Sequence, residues 1–466
     1  MPALGAPILI PCVTRIDDLA EAVRANRAAQ NCFHPEQRLS FPLNKDNRRR
    51  RLMKFMLFVL PTVPATLEER KRLRPIGRNN ERYQQMLDEL RKLAVFADEA
   101  GFDVFATTEH HLHSEGYETS VAPLLLYADL AARTKRIKFS PLGLVLPSWD
   151  PVRVAEELAV LDHLTKGRIY AGFARGYQDR WVNVLGQQYH VTGAPMDGSA
   201  IDNHNRRVYE ETLKVIRKAW TEEAWEYNGE YYKVPFPYEE GIRRWPVAEW
   251  TRTYGAPGEV DEEGVVRKIC VVPKPYQDPH PPIFQPFSVR ENTIRSTARS
   301  GIVPWILVSY PPDFLRLCRL YREVAAESGR KLRLGEGVGA FRAVHFGRTE
   351  EEAVALFRDT NFAGFYHYFN GFGFAEAFRL PEDAEKYPPP AMLPRSEWTV
   401  ERYRKAKYAL AGTVDQVKRE IEQLKTLGGE GDLEWFGWFF DQGFMPWEEE
   451  MRQIELFAEH IIPAFR

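Results

Sequence analysis

Cysteine is scarce: the 466-residue chain holds four, Cys12, Cys32, Cys270 and Cys318, and none forms a CxxC pair. That spacing offers neither a cysteine zinc site nor a disulfide framework, and it suits a reducing, cytoplasmic setting. An excess of one charge is also missing. Lys plus Arg number 63 against 65 for Asp plus Glu, so no global field draws the chain to nucleic acid. No apolar run reaches the roughly 18 to 20 residues a membrane span requires. The short apolar patch at residues 4–12 lacks a positive start and a small-residue cleavage site, so neither export nor a membrane anchor is expected. No GxGxxG stretch follows an apolar strand, which removes the fingerprint of a nicotinamide-binding fold.

Apolar side chains, by contrast, make up 44% of the sequence, enough for one large core. Residues 1–52 stand apart, with a possible helix from Asp17 to Ala29 and the basic run Arg48 to Arg51. They read as an N-terminal extension, a partly disordered and solvated tail. From Met53 a buried strand opens, and strands then alternate with helices. The apolar stripe Tyr83, Met86, Leu87, Leu90, Leu93, Ala94 and Ala97 predicts a helix closed by Gly101. Strands follow at Phe102 to Thr108, Ile137 to Val145 and Arg168 to Phe173, separated by helices Ala122 to Thr134 and Val152 to Leu164. Asp150 and Pro151 supply an N-cap and a first helical residue.

Strands separated by such helices must pair in parallel, which leaves a doubly wound sheet or a closed barrel. Further strands at Ile283 to Phe287, Val303 to Val308, Gly339 to Phe346 and Leu433 to Phe440 complete eight, so the expected fold is α/β, a (β/α)8 TIM barrel. Two stretches interrupt it. Residues 221–282 carry a hairpin turn at Tyr227-Asn228-Gly229-Glu230, and residues 366–411 form a long irregular segment of the kind that often makes a lid.

In such a barrel the working groups follow the C-terminal ends of strands. After the second strand, Glu109-His110-His111-Leu112-His113 gathers a carboxylate and three imidazoles; a solvated loop is the competing reading for each histidine. His111 and His113 also match the paired imidazoles of barrel metal hydrolases, but the later histidines do not fall at suitable strand ends. Ala174-Arg175-Gly176-Tyr177 offers a guanidinium fork and an approachable backbone to a phosphate, against a plain surface salt bridge. Ser288 to Thr293 precede a helix whose free N–H groups suit an anion, or it is merely a helix cap. Phe58, Trp305 and the run Phe362, Phe365, Tyr366, Tyr368 and Phe369 suit an apolar pocket, though such stripes are more often core.

The order Gly101-Phe102-Asp103, Glu109-His110-His111, Leu144-Val145-Leu146-Pro147, Pro151-Val152-Arg153 with Glu156, Leu161-Asp162, Lys166-Gly167-Arg168 and Ala174-Arg175-Gly176 resembles the bacterial luciferase alpha subunit and its flavin monooxygenase relatives. The resemblance continues through Gly412-Thr413-Val414-Asp415-Gln416-Val417 and Glu455-Leu456-Phe457-Ala458 with Pro463, covering essentially Met53 to Arg466. It implies an FMN-dependent monooxygenase that receives reduced FMN from a separate flavin reductase. Such an enzyme reacts the flavin with dioxygen and oxygenates a small organic substrate through a C4a-peroxyflavin; a homodimer is the expected assembly. His110 falls at the family's active-site histidine, and Glu109 lies beside the isoalloxazine. A non-proline cis peptide beneath the ring aligns with Leu142 and Gly143. Arg175, the Tyr177 backbone and Ser288 would hold the phosphate. Ala174 stands where luciferase has a reactive cysteine, so light emission is not implied. The alternatives are a deazaflavin (F420)-dependent hydride-transfer enzyme of the same superfamily, a zinc hydrolase using His111 and His113, and a flavin-storing protein without turnover.

Overall fold

The computed structural model describes residues 52–195, 197–441 and 443–466, and the expectations for residues 1–51 lie outside it. Among the described residues twelve strands occur in chain order: β1 (Lys54–Val59), β2 (Val104–Thr107), β3 (Lys138–Pro141), β4 (Leu144–Val145), β5 (Ala171–Ala174), β6 (Tyr227–Asn228), β7 (Lys233–Val234), β8 (Ile283–Ser288), β9 (Val303–Ile306), β10 (Gly339–Phe346), β11 (Ala409–Gly412) and β12 (Trp435–Phe439). The main sheet runs β3-β2-β1-β12-β10-β9-β8-β5-β4, with every pairing parallel. A parallel bridge from Phe139 to Ile169 brings β3 back to the chain entering β5 and so joins the two ends. All eight strands read from the sequence are present. The third is broken at residues 142–143 into β3 and β4, and the fourth starts at Ala171 rather than Arg168.

The helices form where the pattern places them. Asp150 accepts from the Val152 and Arg153 N–H groups and starts the helix Pro151–Thr165, satisfying donors that helix geometry leaves open. The 221–282 stretch does contain a hairpin, β6 with β7. Its turn lies at 229–232 because the Glu211 carboxylate collects the N–H groups of Glu230, Tyr231 and Tyr232 at 3.1, 2.8 and 2.9 Å. The 366–411 stretch is less irregular than expected. It holds short helices and ends in β11, which pairs with β10 outside the ring. Arg402 ties this segment together through Asp383 at 2.5 Å and Glu397 at 2.5 Å. No helix among the described residues is long and apolar enough to cross a membrane.

Aromatic rings fill the barrel interior. Tyr170 stacks on Phe284 with centroids 4.5 Å apart, Phe284 meets Trp305 edge-on at 5.6 Å, and Phe58 meets Phe439 at 4.9 Å. Above them the chain at 361–378 brings Phe365 against Phe439 and Phe374 against Phe287, roofing the mouth. Phe58, Trp305, Phe365 and Phe369 are therefore core, whereas Phe362, Tyr366 and Tyr368 stay half-buried.

One buried group gives the fold a pH dependence. His345 of β10 is 1% exposed, and its Nε2 lies 3.1 Å from the Thr360 Oγ1. Burial pushes its pKa down to about 3, against about 6.5 in the unfolded chain. The folded protein therefore takes up this proton later than the unfolded one. The stability this group contributes is complete above about pH 6.5 and is lost progressively as pH falls toward 3. By pH 5 the loss is roughly 2 kcal/mol. Urea unfolding of the wild type and His345→Leu at pH 7.5 and 5.0 checks this: the fall between the two pH values should shrink by about that amount in the variant.

Candidate functional site

Parallel pairing sets one rim. β1 aligns Val59 with Thr107 of β2, β2 aligns Thr107 with Pro141, and β4 aligns Val145 with Ala174 of β5. β5 runs beside β8, with Gly172 opposite Phe284. The segments after residues 107, 141, 174 and 288 thus leave the barrel at the same end.

The Leu142–Gly143 peptide is cis and not proline-linked. Leu142 is fully buried and donates its N–H to the Thr107 carbonyl at 2.7 Å. A side chain at Gly143 would stand 2.8 Å from the Phe173 carbonyl carbon, and one at Gly172 would stand 1.7 Å from the Pro141 oxygen. The two segments approach so closely that only hydrogen fits at both positions.

Glu109, 1% exposed, spends its carboxylate on protein donors. It accepts from Val145 N–H at 2.7 Å and Trp149 Nε1 at 2.8 Å, and His111 Nε2 lies 2.9 Å away. Its direct effect is to hold the chain just beyond the cis peptide. His110 differs: its Nδ1 lies 2.5 Å from the Glu118 Oε2, with both side chains nearly inaccessible, but makes no aligned hydrogen bond. The His110 ring also faces Tyr177 edge-on at 5.9 Å and His113 at 5.5 Å.

His113 is engaged at both nitrogens. Nδ1 lies 2.9 Å from the Tyr117 carbonyl, and Nε2 lies 2.7 Å from Gln178 Oε1 and 3.1 Å from the Tyr368 hydroxyl. Burial holds its imidazole below the usual histidine range, and the nearby His110 adds to the depression. The pair His111 and His113 does not converge: one binds Glu109 and the other Gln178. Among the described residues the donor atoms that do gather are those of His110, His113 and Glu118, within 4.8 Å of one another. The 2.5 Å contact inside that group is shorter than the roughly 3.4 Å between ligands of a tetrahedral zinc, and His113 has no free nitrogen, so the trio does not suit that ion.

Arg175 is mostly buried and pairs one guanidinium nitrogen, Nη1, with Asp202 at 2.7 Å. Its remaining donors meet no acceptor among the described residues. Burial lowers its pKa, and Arg206 adds to that, against the opposing pull of Asp202. A groove of about 420 Å³ between the helices Ala200–Thr221 and Glu291–Ser300 carries Arg206, Arg295 and Arg299, so this flank is positive. The Tyr177 N–H also finds no acceptor among the described residues, while its half-buried ring packs on Phe372 and Phe374. Ser288 closes β8 just after a bulge at residues 285–288, where Phe287 has φ 50°. Its hydroxyl reaches only the Gln285 carbonyl, at 3.4 Å. The helix Glu291–Ser300 begins without a side-chain cap, and the N–H groups of Glu291 and Asn292 have no acceptor among the described residues. Arg175, the Tyr177 N–H and this helix start each keep donors that no acceptor among the described residues takes, and donors of these kinds bind anions.

Sequence reasoning missed Glu118 and Gln178, and it read Tyr368 only as one of a run of aromatics suited to an apolar pocket. Neither missed residue belongs to a dense motif, and the signal available for Glu118 was only an acidic residue in the same loop as three histidines.

A profile of luciferase-like monooxygenases matches residues 53–431. The oxygenase component of a flavin-dependent trigonelline monooxygenase from Acinetobacter baylyi is 23% identical over 82% of this chain and 91% of its own. An FMNH2-dependent dimethylsulfone monooxygenase from Pseudomonas putida is 24% identical over 82% and 88%. Among solved structures, the oxygenating constituent of 3,6-diketocamphane monooxygenase from Pseudomonas putida, in complex with FMN, superposes with a TM-score of 0.64 at 20% identity, over 89% of this chain and 99% of that one. A coenzyme F420-dependent tetrahydromethanopterin reductase from Methanopyrus kandleri shares the fold, with a TM-score of 0.56 at 15% identity over 89% and 100%.

Proposed function

The chain belongs to the luciferase-like monooxygenase family, and on that premise we propose that it is the oxygenase of a two-component flavin system. It takes reduced FMN from a separate reductase and uses dioxygen to put one oxygen atom into a small organic substrate, in the cytoplasm and as a homodimer. The names of its relatives support the flavin and the oxygen chemistry. The observation that carries the reading is the unsatisfied donor set around Arg175, on the same rim as His110 and the cis peptide.

The residues present fit a flavin phosphate. Arg175 offers its unpaired guanidinium donors, the Tyr177 N–H a further one, and Ser288 with the helix start at Glu291 completes the cradle; positive charge and helix dipole both favour a dianion. The segment at Leu142 and Gly143 seats the ring, and Glu109 holds that seat by fixing Val145 and Trp149. Bound FMN, when reduced, supplies the electrons that activate dioxygen. His110 moves a proton at the reacting end of the site. The aromatic roof at 361–378 excludes water, which favours oxygen transfer over unproductive side reactions.

Reductase-coupled turnover under ¹⁸O₂ with a panel of organic substrates tests the proposal. One labelled oxygen atom in a product, read by mass spectrometry, is the expected result. Reduced deazaflavin supporting unlabelled, hydride-transfer products in place of FMN would overturn it.

A further inference from the structure

Two helix faces beside the phosphate cradle carry charge of nearly one sign, and the roles assigned so far leave it unused. On the helix Glu291–Ser300, Asn292, Arg295 and Arg299 recur at steps of three and four and so share a face. Arg206 and Glu210 meet them from the helix Ala200–Thr221 across the groove of about 420 Å³. Three guanidinium groups thus surround one carboxylate. Arg206 and Arg295 are half-buried and Arg299 is exposed, and none of the three makes a hydrogen bond or ion pair among the described residues. Such an arrangement works against the fold, because like charges four residues apart on a helix repel and Arg206 adds a third. On the helix Pro311–Glu327, by contrast, Arg316 has taken Glu291 and Asp313 as partners, and Arg319 has taken Glu430. We infer that the groove is the outer station of the flavin site, a capture surface that draws in the phosphate dianion of the flavin nucleotide and delivers it to Arg175. The inference rests on the flavin reading above and adds the route by which the anion arrives.

The inner end of the groove adjoins the cradle. Asn292 lines the groove and stands in the first turn of its helix, where the N–H groups lack acceptors among the described residues. Asp202, which holds Arg175 Nη1 at 2.7 Å, precedes Arg206 by one turn of the same helix, about 6 Å along its axis. Arg206 is close enough to Arg175 to depress its pKa. From Asn292 to Arg299 the cationic face runs outward for about 10 Å, roughly one Debye length at 0.1 M salt. The acidic groups at the inner end are taken, Asp202 by Arg175 and Glu291 by Arg316, which leaves Glu210 as the opposing charge of the lining. Unpaired cations along an open groove act on arrival: steering of this kind raises association rates by about 10- to 1,000-fold and fades with salt. Arg175, mostly buried, then governs how long the phosphate stays, and the groove governs how fast it comes. Speed matters for this chemistry, since reduced flavin free in aerated water is oxidised by dioxygen before it reaches a substrate.

Stopped-flow mixing of the full-length protein with oxidised FMN or with riboflavin, at about 20 and 300 mM salt, tests this. The wild-type association rate for FMN should fall about 10-fold between the two salts, while that of riboflavin, which carries no phosphate, stays within about 2-fold. The double variant Arg295→Gln/Arg299→Gln should slow FMN association about 5- to 10-fold at low salt and flatten its salt dependence. Its FMN dissociation rate and its riboflavin association should stay within about 2-fold of the wild type. Its unfolding midpoint should equal or exceed that of the wild type, since a repelling pair is gone, which separates lost capture from a damaged fold. In Arg175→Ala the main change should be faster dissociation. Equal FMN association in the wild type and the double variant at low salt, or a loss confined to dissociation, overturns the proposal. So does a wild-type FMN rate indifferent to salt, a result that needs no variant. Wild-type protein that fails to bind FMN at either salt would instead sink the flavin reading and the capture route with it.

Discussion

Replacing His110 with alanine is expected to lower product formation about 100-fold or more while FMN still binds. The ring follows the end of β2, beside Glu118 and flanked by the Tyr177 ring and His113, while the proposed phosphate donors are the Arg175 guanidinium and the backbone at Tyr177 and Glu291. Removing it takes away a proton acceptor and donor while leaving the Arg175 guanidinium and the Tyr177 backbone N–H in place. The loss should therefore appear in kcat and kcat/KM together, as it does when an interaction made only in the transition state is deleted. Single-turnover experiments with pre-reduced FMN keep the reductase from limiting the rate. Unchanged turnover at saturating flavin would remove His110 from the mechanism.

Gly172→Ala should be the most damaging single-methyl change in the barrel, costing about 3 kcal/mol or more. Its Cβ would lie 1.7 Å from the Pro141 carbonyl oxygen and 2.9 Å from the carbonyl carbon, and backbone cannot give way as a side-chain tip can. The cost falls at the seat of the site, since Pro141 leads directly into the Leu142–Gly143 peptide and Gly143 in turn abuts Phe173. Gly371→Ala is the control: nothing lies within 4 Å of its Cβ position, so its effect should stay within about 0.5 kcal/mol. Denaturant midpoints of the two variants compare them directly, and equal stability would show that β3 and β5 are less tightly meshed than described.

The barrel was readable because its strands are short apolar runs separated by amphipathic helices, and parallel pairing then places every strand end on one rim. The cluster at residues 109–113 and Arg175 stood out for the same reason: ionisable residues at strand ends are chemically conspicuous. What stayed hidden depends on contacts far apart in the chain or on loop conformation. β11 is Ala-Leu-Ala-Gly, too short and too small to read as a strand, and it forms because β10 offers an open edge. The saturation of Glu109 needs the Val145 N–H and the Trp149 indole, 36 and 40 residues away. Glu118 comes to 2.5 Å from His110 out of a left-handed loop backbone, which no periodicity signals, and Tyr368 reaches His113 across 255 residues. The same holds for the 227–234 hairpin, whose turn is set by Glu211 rather than by Asn228-Gly229 alone.

The central claim is that the unpaired donors around Arg175 hold a flavin phosphate. Titrating reduced and oxidised FMN against riboflavin, in the wild type and in Arg175→Ala, tests it most directly, because riboflavin lacks only the phosphate and reports on whether the ring site is intact. Charge-assisted hydrogen bonds of roughly 1.5 to 3 kcal/mol predict that the wild type prefers FMN by about 10- to 100-fold and that this preference collapses in the variant while riboflavin affinity holds. Equal affinity of the wild type for the two flavins, or a preference untouched by the substitution, would contradict the account.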